Sequence, residues 1–242
     1  MRAHIGIVAC SAEGAALCYR SIVHYGGEHL GTYAHPEVSL HSHSLAEYVV
    51  ALERGDWDRV ADLMLSSAHK LAAAGADFLI CPDNTIHGAF PKVARASPLP
   101  WLHIAEIVAR RAQAAGFRRV GLLGTRFTME GEVYPQKLGE LGLDYRRPSA
   151  SEIDTLHRIV FEELVKSVFT AESLAVFQKV MKRLADEEGC DAMVLGCTEI
   201  PLLVPPDRSP LPTLDSTRLL AQAAVDHALG RDVPGRPHEV LP

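Results

Sequence analysis

Short runs of consecutive apolar residues alternate along this chain with longer segments of helical period. Ile5–Ala9, Val38–His41, Asp77–Cys81, Val120–Leu123 and Ala192–Leu195 read as strands. Between them the spacing predicts helices over Ser11–Val23, Trp57–Ala74, Ile104–Ala115, Ser151–Lys166, Glu172–Glu188 and Thr217–Leu229, with a further helix opening near Thr128. Gly75 and Gly230 stand where two of these helices should stop. Ser44-Leu45-Ala46-Glu47 has the Ser-x-x-Glu form of a capping box ahead of the apolar stretch that follows. Strand followed by helix, repeated, predicts the α/β class, with mainly parallel sheets covered by helices. The proline-rich stretches Pro201–Pro212 and Pro234–Pro242 read as connection and tail.

One feature of the pattern recurs. The run from Gly75 to Thr85 lies over the run from Gly189 to Glu199, the second copy following the first by 114 residues. Ile5–Ala9 lies over Val120–Gly124 at an offset of 115. Two offsets that agree within one residue favour a duplication, hence two similar lobes facing one cleft. The echo pairs Asp83 with Cys197, each just past the C-terminal end of a predicted strand, where open α/β sheets present ligand-binding groups.

Composition narrows the function. Of 242 residues, 48% are hydrophobic and 22% charged, which excludes a disordered chain, a collagen or a coiled coil. The net charge of −6 lacks the basic footprint of a nucleic-acid binder. The longest apolar run, around Phe78–Cys81, is far too short to span a membrane. The first residues enter a strand without a signal-peptide pattern. Five cysteines, an odd number without metal-type spacing, argue against a disulfide framework and suit a reducing cytoplasm. His41-Ser42-His43 is the one tight histidine pair, and no nearby carboxylate completes a metal set. The expectation is a soluble cytoplasmic protein with no metal.

Cys197 follows a buried strand at a turn or helix start, where backbone N–H groups favour an anion and hence a thiolate able to move a proton. Its alternative reading is a buried core cysteine. Asp83 reads either as a helix cap or as an acid/base group, and capping does not explain why its echo partner is a cysteine. Asn84, Thr85 and Thr198 offer donors suited to a carboxylate. His87, one helical turn past Asp83, reads as a group that tunes its protonation or as a half-exposed helix residue. Cys81 echoes Leu195 and reads as core, and Cys10, Cys18 and Cys190 read as structural.

With these residues in view, the sequence resembles the aspartate/glutamate racemase superfamily, whose members work without pyridoxal phosphate. The resemblance is carried by Gly75–Phe78, Asp83–His87, Pro100–Ile104, Gly121–Met129, Gly196–Pro201 and Asp215–Thr217. It implies two pseudo-symmetric α/β lobes with the substrate at their interface, residues 1–100 plus 212–242 forming one and 101–211 the other. It further implies an amino-acid racemase with no cofactor, acting by two-base proton transfer, and a homodimer. Family members carry a cysteine at each paired position; here Asp83 replaces the first. The Gly-rich loop usual near the N-terminus is replaced by Ala9-Cys10-Ser11-Ala12, a departure that bears on side-chain specificity, and the resemblance counts Ser11 among the substrate contacts. The resemblance also points to Thr125 and Thr128 for polar contacts, to Glu199 as a supporting group beside Cys197, and to Lys166, with Arg126 competing, for a second substrate carboxylate. Loss of the first cysteine leaves two alternatives: a decarboxylase or dicarboxylate isomerase using Cys197 alone, and a catalytically weak amino-acid-binding protein.

Overall fold

The computed structural model describes residues 3–231, so the tail read over Pro234–Pro242 lies outside the described residues. These residues divide into two units, 3–107 with 217–231, and 108–216. The first contains β1 (Ile5–Ala9), α1 (Ala12–Leu30), β2 (Val38–Ser42), α2 (Leu45–Glu53), α3 (Trp57–Ala73) and β3 (Phe78–Ile80). A 3-10 turn (Thr85–Ala89) then runs into α4 (Phe90–Ala96), β4 (Trp101–Leu102) and α5 (Ile104–Ala114), along which the chain passes into the second unit. That unit holds β5 (Arg119–Gly124), α6 (Arg126–Glu130), α7 (Val133–Glu140), β6 (Asp144–Arg146), α8 (Ala150–Glu162), α9 (Ala171–Glu188), β7 (Ala192–Gly196), α10 (Ile200–Leu203) and β8 (Thr213–Asp215). From Thr217 onward α11 (Ser216–Ala228) belongs to the first unit.

Each unit is built on a four-stranded sheet whose strand pairs are all parallel, ordered β2-β1-β3-β4 in the first and β6-β5-β7-β8 in the second. The same order twice is the duplication that the sequence echoes imply, and the register agrees. Ile5 lies opposite Phe78 as Val120 lies opposite Ala192. Gly6 and Gly121 occupy equivalent places for one reason. A Cβ at Gly6 would lie 2.5 Å from Leu79 Cδ2, and one at Gly121 2.4 Å from Met193 Sδ, the equivalent side chains on the next strand. Asp77 and Asp191 each clamp the start of a central strand, the former accepting from the His4 amide and the latter from those of Arg118 and Arg119. Ser97-Pro98-Leu99-Pro100 and Ser209-Pro210-Leu211-Pro212 form a further echo. In both, the serine hydroxyl bonds the carbonyl and amide of the leucine, and the last proline's carbonyl accepts from the sheet, at Leu79 and Met193.

Side chains alternate across the sheets as strand geometry requires. In the first unit Ile5, Ile7, Phe78 and Ile80 pack with Cys18, Ile22 and the buried faces of α5 and α11. Val8, Leu79 and Cys81 pack on the opposite face with Tyr48, Val60, Met64, Ala68 and Leu71. In the second unit Leu123, Met193, Leu195 and Cys197 meet Ile153, Leu156, Val160, Phe177, Met181 and Leu184 from α8 and α9. Full burial of each Leu, Ile or Phe contributes about 1.5–3 kcal/mol, so these layers dominate the stability.

The structure departs from the expectations at several points. β4 pairs with β3 and β8 with β7, which moves the crossings between units past the expected 100/101 and 211/212 boundaries. α1 continues to Leu30. Ser44 precedes α2 without a side-chain capping bond: the Glu47 amide donates to the Ser44 carbonyl, and the Glu47 carboxylate pairs with Arg59 at 2.8 Å. A capping box forms at Ser149 and Glu152, where α8 begins, and Glu152 also takes a two-toothed bond from Arg183. The helix placed near Thr128 starts at Arg126, capped by Thr125. The helix expected through Lys166 ends at Glu162, followed by a 3-10 turn over Leu164–Lys166. There the Glu163 carboxylate bonds Ser173 and Thr170 at the start of α9, and Ser167 adopts a left-handed conformation, φ 58°.

Candidate active site

The candidate residues of the first unit gather at the C-terminal ends of β1 and β3. β1 ends at Ala9, and Ser11 then caps α1, its hydroxyl accepting the Gly14 amide at 3.1 Å. β3 ends at Ile80, and Cys81, Pro82 and Asp83 lead into the 3-10 turn. Asp83 Oδ1 accepts the Ile86 amide at 3.1 Å, so the capping bond exists. Burial, and then the negative charge of this nearby carboxylate, hold the thiols of Cys10 and Cys81 above their ordinary range. Asn84 is buried and Thr85 half-buried at the turn's start. His87 is 1% exposed rather than half-exposed. Its Nδ1 lies 2.6 Å from the Asp83 carbonyl oxygen, not from the carboxylate. Burial lowers its pKa to about 4, the bond to that carbonyl opposing, so it is a neutral anchor at pH 7, donating from Nδ1. Its ring stacks on Phe90 and meets His103 edge-on.

The second unit offers the equivalent ends of β5 and β7. These strands finish side by side on Gly124 and Gly196. A Cβ on either would lie 2.9 Å from Thr128, so paired glycines let this side chain close over the strand ends. Thr125 Oγ1 accepts the Thr128 amide and lies 3.3 Å from the Thr128 hydroxyl. Cys197 follows Gly196 and is buried, with 9% exposure. Its Sγ donates to Glu199 Oε2 at 2.9 Å, and Thr198 donates to the same oxygen at 2.8 Å. The helix behind it, α10, spans four residues. The sulfur thus has beside it a carboxylate positioned to receive the thiol proton.

Lys166 is exposed on the 3-10 turn after α8. Arg126, its competitor, is tied to Asp154 at 2.6 Å. Sequence reasoning treated Cys10 as structural and missed its nearness to Asp83, whose charge, after burial, raises the Cys10 thiol. The available signal was register: Ile7 faces Ile80, so residues three further along each strand leave the sheet together. Among the described residues no group of three or more His, Cys, Asp or Glu side chains is placed to hold a metal ion, and no helix is long and apolar enough to cross a membrane.

Residues 5–224 match the profile of the Asp/Glu/hydantoin racemase family. The chain belongs to that family. Its relatives include the broad specificity amino-acid racemase RacX of Bacillus subtilis, 23% identical over 178 residues, which span 70% of this chain and 73% of the relative. Among solved structures it resembles a candidate Asp/Glu racemase of Yersinia pestis, 32% identical with a TM-score of 0.87, covering 95% of this chain and 100% of the other. An aspartate racemase homologue from Pyrococcus horikoshii OT3 is 28% identical at a TM-score of 0.84, with the same coverage.

Proposed function

We propose that the protein is a cofactor-independent racemase of aspartate, glutamate or a related small amino acid. In this reading Asp83 and Cys197, one from each unit, act on opposite faces of the α-carbon. What carries it is one observation: at equivalent register past β3 and β7, each half of a duplicated fold presents a side chain able to hold a proton. Inverting a carbon centre needs a base on one face and an acid on the other. In one direction Asp83, as carboxylate, takes the α-proton while the Cys197 thiol delivers its own to the opposite face. This leaves Asp83 protonated and Cys197 a thiolate, the state that the reverse direction needs; Glu199 generates the same thiolate from the resting enzyme by receiving the thiol proton. The reverse direction exchanges the roles. With a carboxylate on one side and a thiol on the other, reference pKa values of about 3.9 and 8.5, the two directions differ in kcat, with KM differing in proportion because the equilibrium constant of a racemisation is one.

Donors of Asn84, Thr85 and Thr198 hold the α-carboxylate, with Ser11, Thr125 and Thr128 as further polar contacts and His87 as support. Lys166 is the cation for a side-chain carboxylate. The reading includes a cytoplasmic homodimer.

A panel of amino acids incubated in deuterated water and followed by NMR tests this. Loss of the α-proton signal from acidic amino acids, with both enantiomers appearing, is the expected result. A second reading, in which Cys197 alone donates a proton in decarboxylation or attacks in isomerisation of a dicarboxylic acid, is favoured by one contact: Cys197 has its own carboxylate partner, whereas Asp83 also caps a turn. Carbon dioxide release from a malonate-type acid, with no exchange on any amino acid, would replace the first reading with the second. Binding of acidic amino acids with neither reaction would replace both with a binding role.

A further inference from the structure

We propose that His157 is a positioning residue for the turn over residues 125–128, gripping the first amide of α6 and so fixing the two threonines at the ends of β5 and β7. The inference rests on the reading of Thr125 and Thr128 as substrate contacts. α6 spans only five residues, Arg126–Glu130, too few to hold a helical turn without outside support. Thr125 caps it by accepting the Thr128 amide, which leaves the Arg126 amide among the donors that a helix cannot satisfy from within. His157 Nδ1 accepts that amide at 3.2 Å. Three residues earlier on α8, Asp154 binds the Arg126 guanidinium at 2.6 Å. One residue is thus held by backbone and by side chain, both times from α8. That helix is a firm support. Ile153, Leu156, Ile159 and Val160 are buried in the core of the second unit, and the capping box at Ser149 and Glu152 fixes its start. The rings of Phe127 and Phe161 stand against the His157 imidazole, with centroids 6.2 and 4.7 Å away.

Accepting an amide commits the ring to one state. Nδ1 must carry a lone pair, so the imidazole is neutral with its hydrogen on Nε2. The charged groups facing it are Arg126 and Glu130 from α6 and Asp154 from α8. Burial, then the Arg126 charge, lower the His157 pKa from its ordinary value, with Asp154 and Glu130 opposing. The grip is therefore closed at neutral pH. It opens as pH falls through the folded-state pKa, where Nδ1 becomes a second donor facing the Arg126 N–H. What moves then is the start of α6, and with it Thr125, which carries Thr128 through the cap bond and a 3.3 Å hydroxyl contact. Cys197 follows the neighbouring strand, β7, and keeps its own partner Glu199, so the loss falls on substrate binding rather than on proton transfer at the sulfur.

The experiment combines amide NMR with the kinetics of α-deuterium exchange on aspartate and glutamate, from about pH 7.5 to about pH 5. The proteins are wild type, His157→Ala, His157→Asn and Thr128→Val. Asparagine puts an oxygen where Nδ1 stands and does not titrate. In wild type the Arg126 amide signal should follow the titration of the His157 ring, and in His157→Asn it should lose that dependence. At neutral pH His157→Ala should raise KM about tenfold, the scale of one hydrogen bond, with kcat within about threefold. A general loss of folded protein would lower kcat alone. His157→Asn should restore KM to within about threefold, and acidification should raise KM more in wild type than in His157→Asn. An Arg126 amide indifferent to the His157 titration overturns the grip. A wild-type KM in His157→Ala, or an asparagine variant as impaired as the alanine variant, overturns the positioning role, provided that Thr128→Val raises KM. A wild-type KM in Thr128→Val overturns the substrate contacts on which the inference rests, and no exchange by wild type on either amino acid overturns the amino-acid reading itself.

Discussion

His87 shows how a single side chain links site and stability. Burial, against the bond to the Asp83 carbonyl, lowers its pKa from 6.5 to about 4. Between those values the unfolded chain binds the proton and the folded chain does not, so stability is full above about pH 6.5 and falls as pH drops toward 4. The shift is worth on the order of 3 kcal/mol in total. Urea denaturation at pH 7 and pH 4.5 should show wild type losing about 2–3 kcal/mol more than His87→Gln, which cannot titrate; equal losses would contradict it. The identities of Asp83 and Cys197 as groups past strand ends were legible because a sequence echo gives positions. Of their surroundings, Glu199 beside Cys197 was named through the resemblance, whereas the nearness of Cys10 to Asp83 comes from the pairing of two strands some seventy residues apart in sequence.

At the scale of elements, paired glycines at the ends of β5 and β7 let Thr128 close over the strand ends. A Cβ at Gly124 would meet Thr128 Cβ at 2.9 Å and the Gly196 carbonyl at 3.0 Å, and the latter is backbone that cannot rotate away. Gly124→Ala should therefore cost about 1–3 kcal/mol, lowering Tm by several degrees. It should also lower turnover, because Thr128 must shift; an unchanged Tm would refute the close approach. Long helices such as α3 and α9 were legible from their period, since each buries one stripe. β4, β6 and β8 were not, because two or three residues carry no period. Ser-x-x-Glu was read at Ser44, but the box forms at Ser149. The motif alone does not say whether its glutamate is drawn to a distant arginine, as Glu47 is to Arg59.

For the whole molecule, the duplication is the organising fact. Two sheets of one strand order, glycines and aspartates at matching places and a repeated Ser-Pro-Leu-Pro turn describe a fold that offers the same kind of position twice. Asp83 and Cys197 fill those positions with different chemistry, and in the proposed reaction each serves one face of the same carbon. The most direct measurement is enantiomer-resolved exchange in deuterated water by Asp83→Asn and Cys197→Ser. The account predicts mirror-image losses: each variant stops racemising, and each loses, by about 100-fold or more, exchange from the enantiomer that the other retains. Loss of the same enantiomer in both variants, or wild-type racemisation in either, would contradict it.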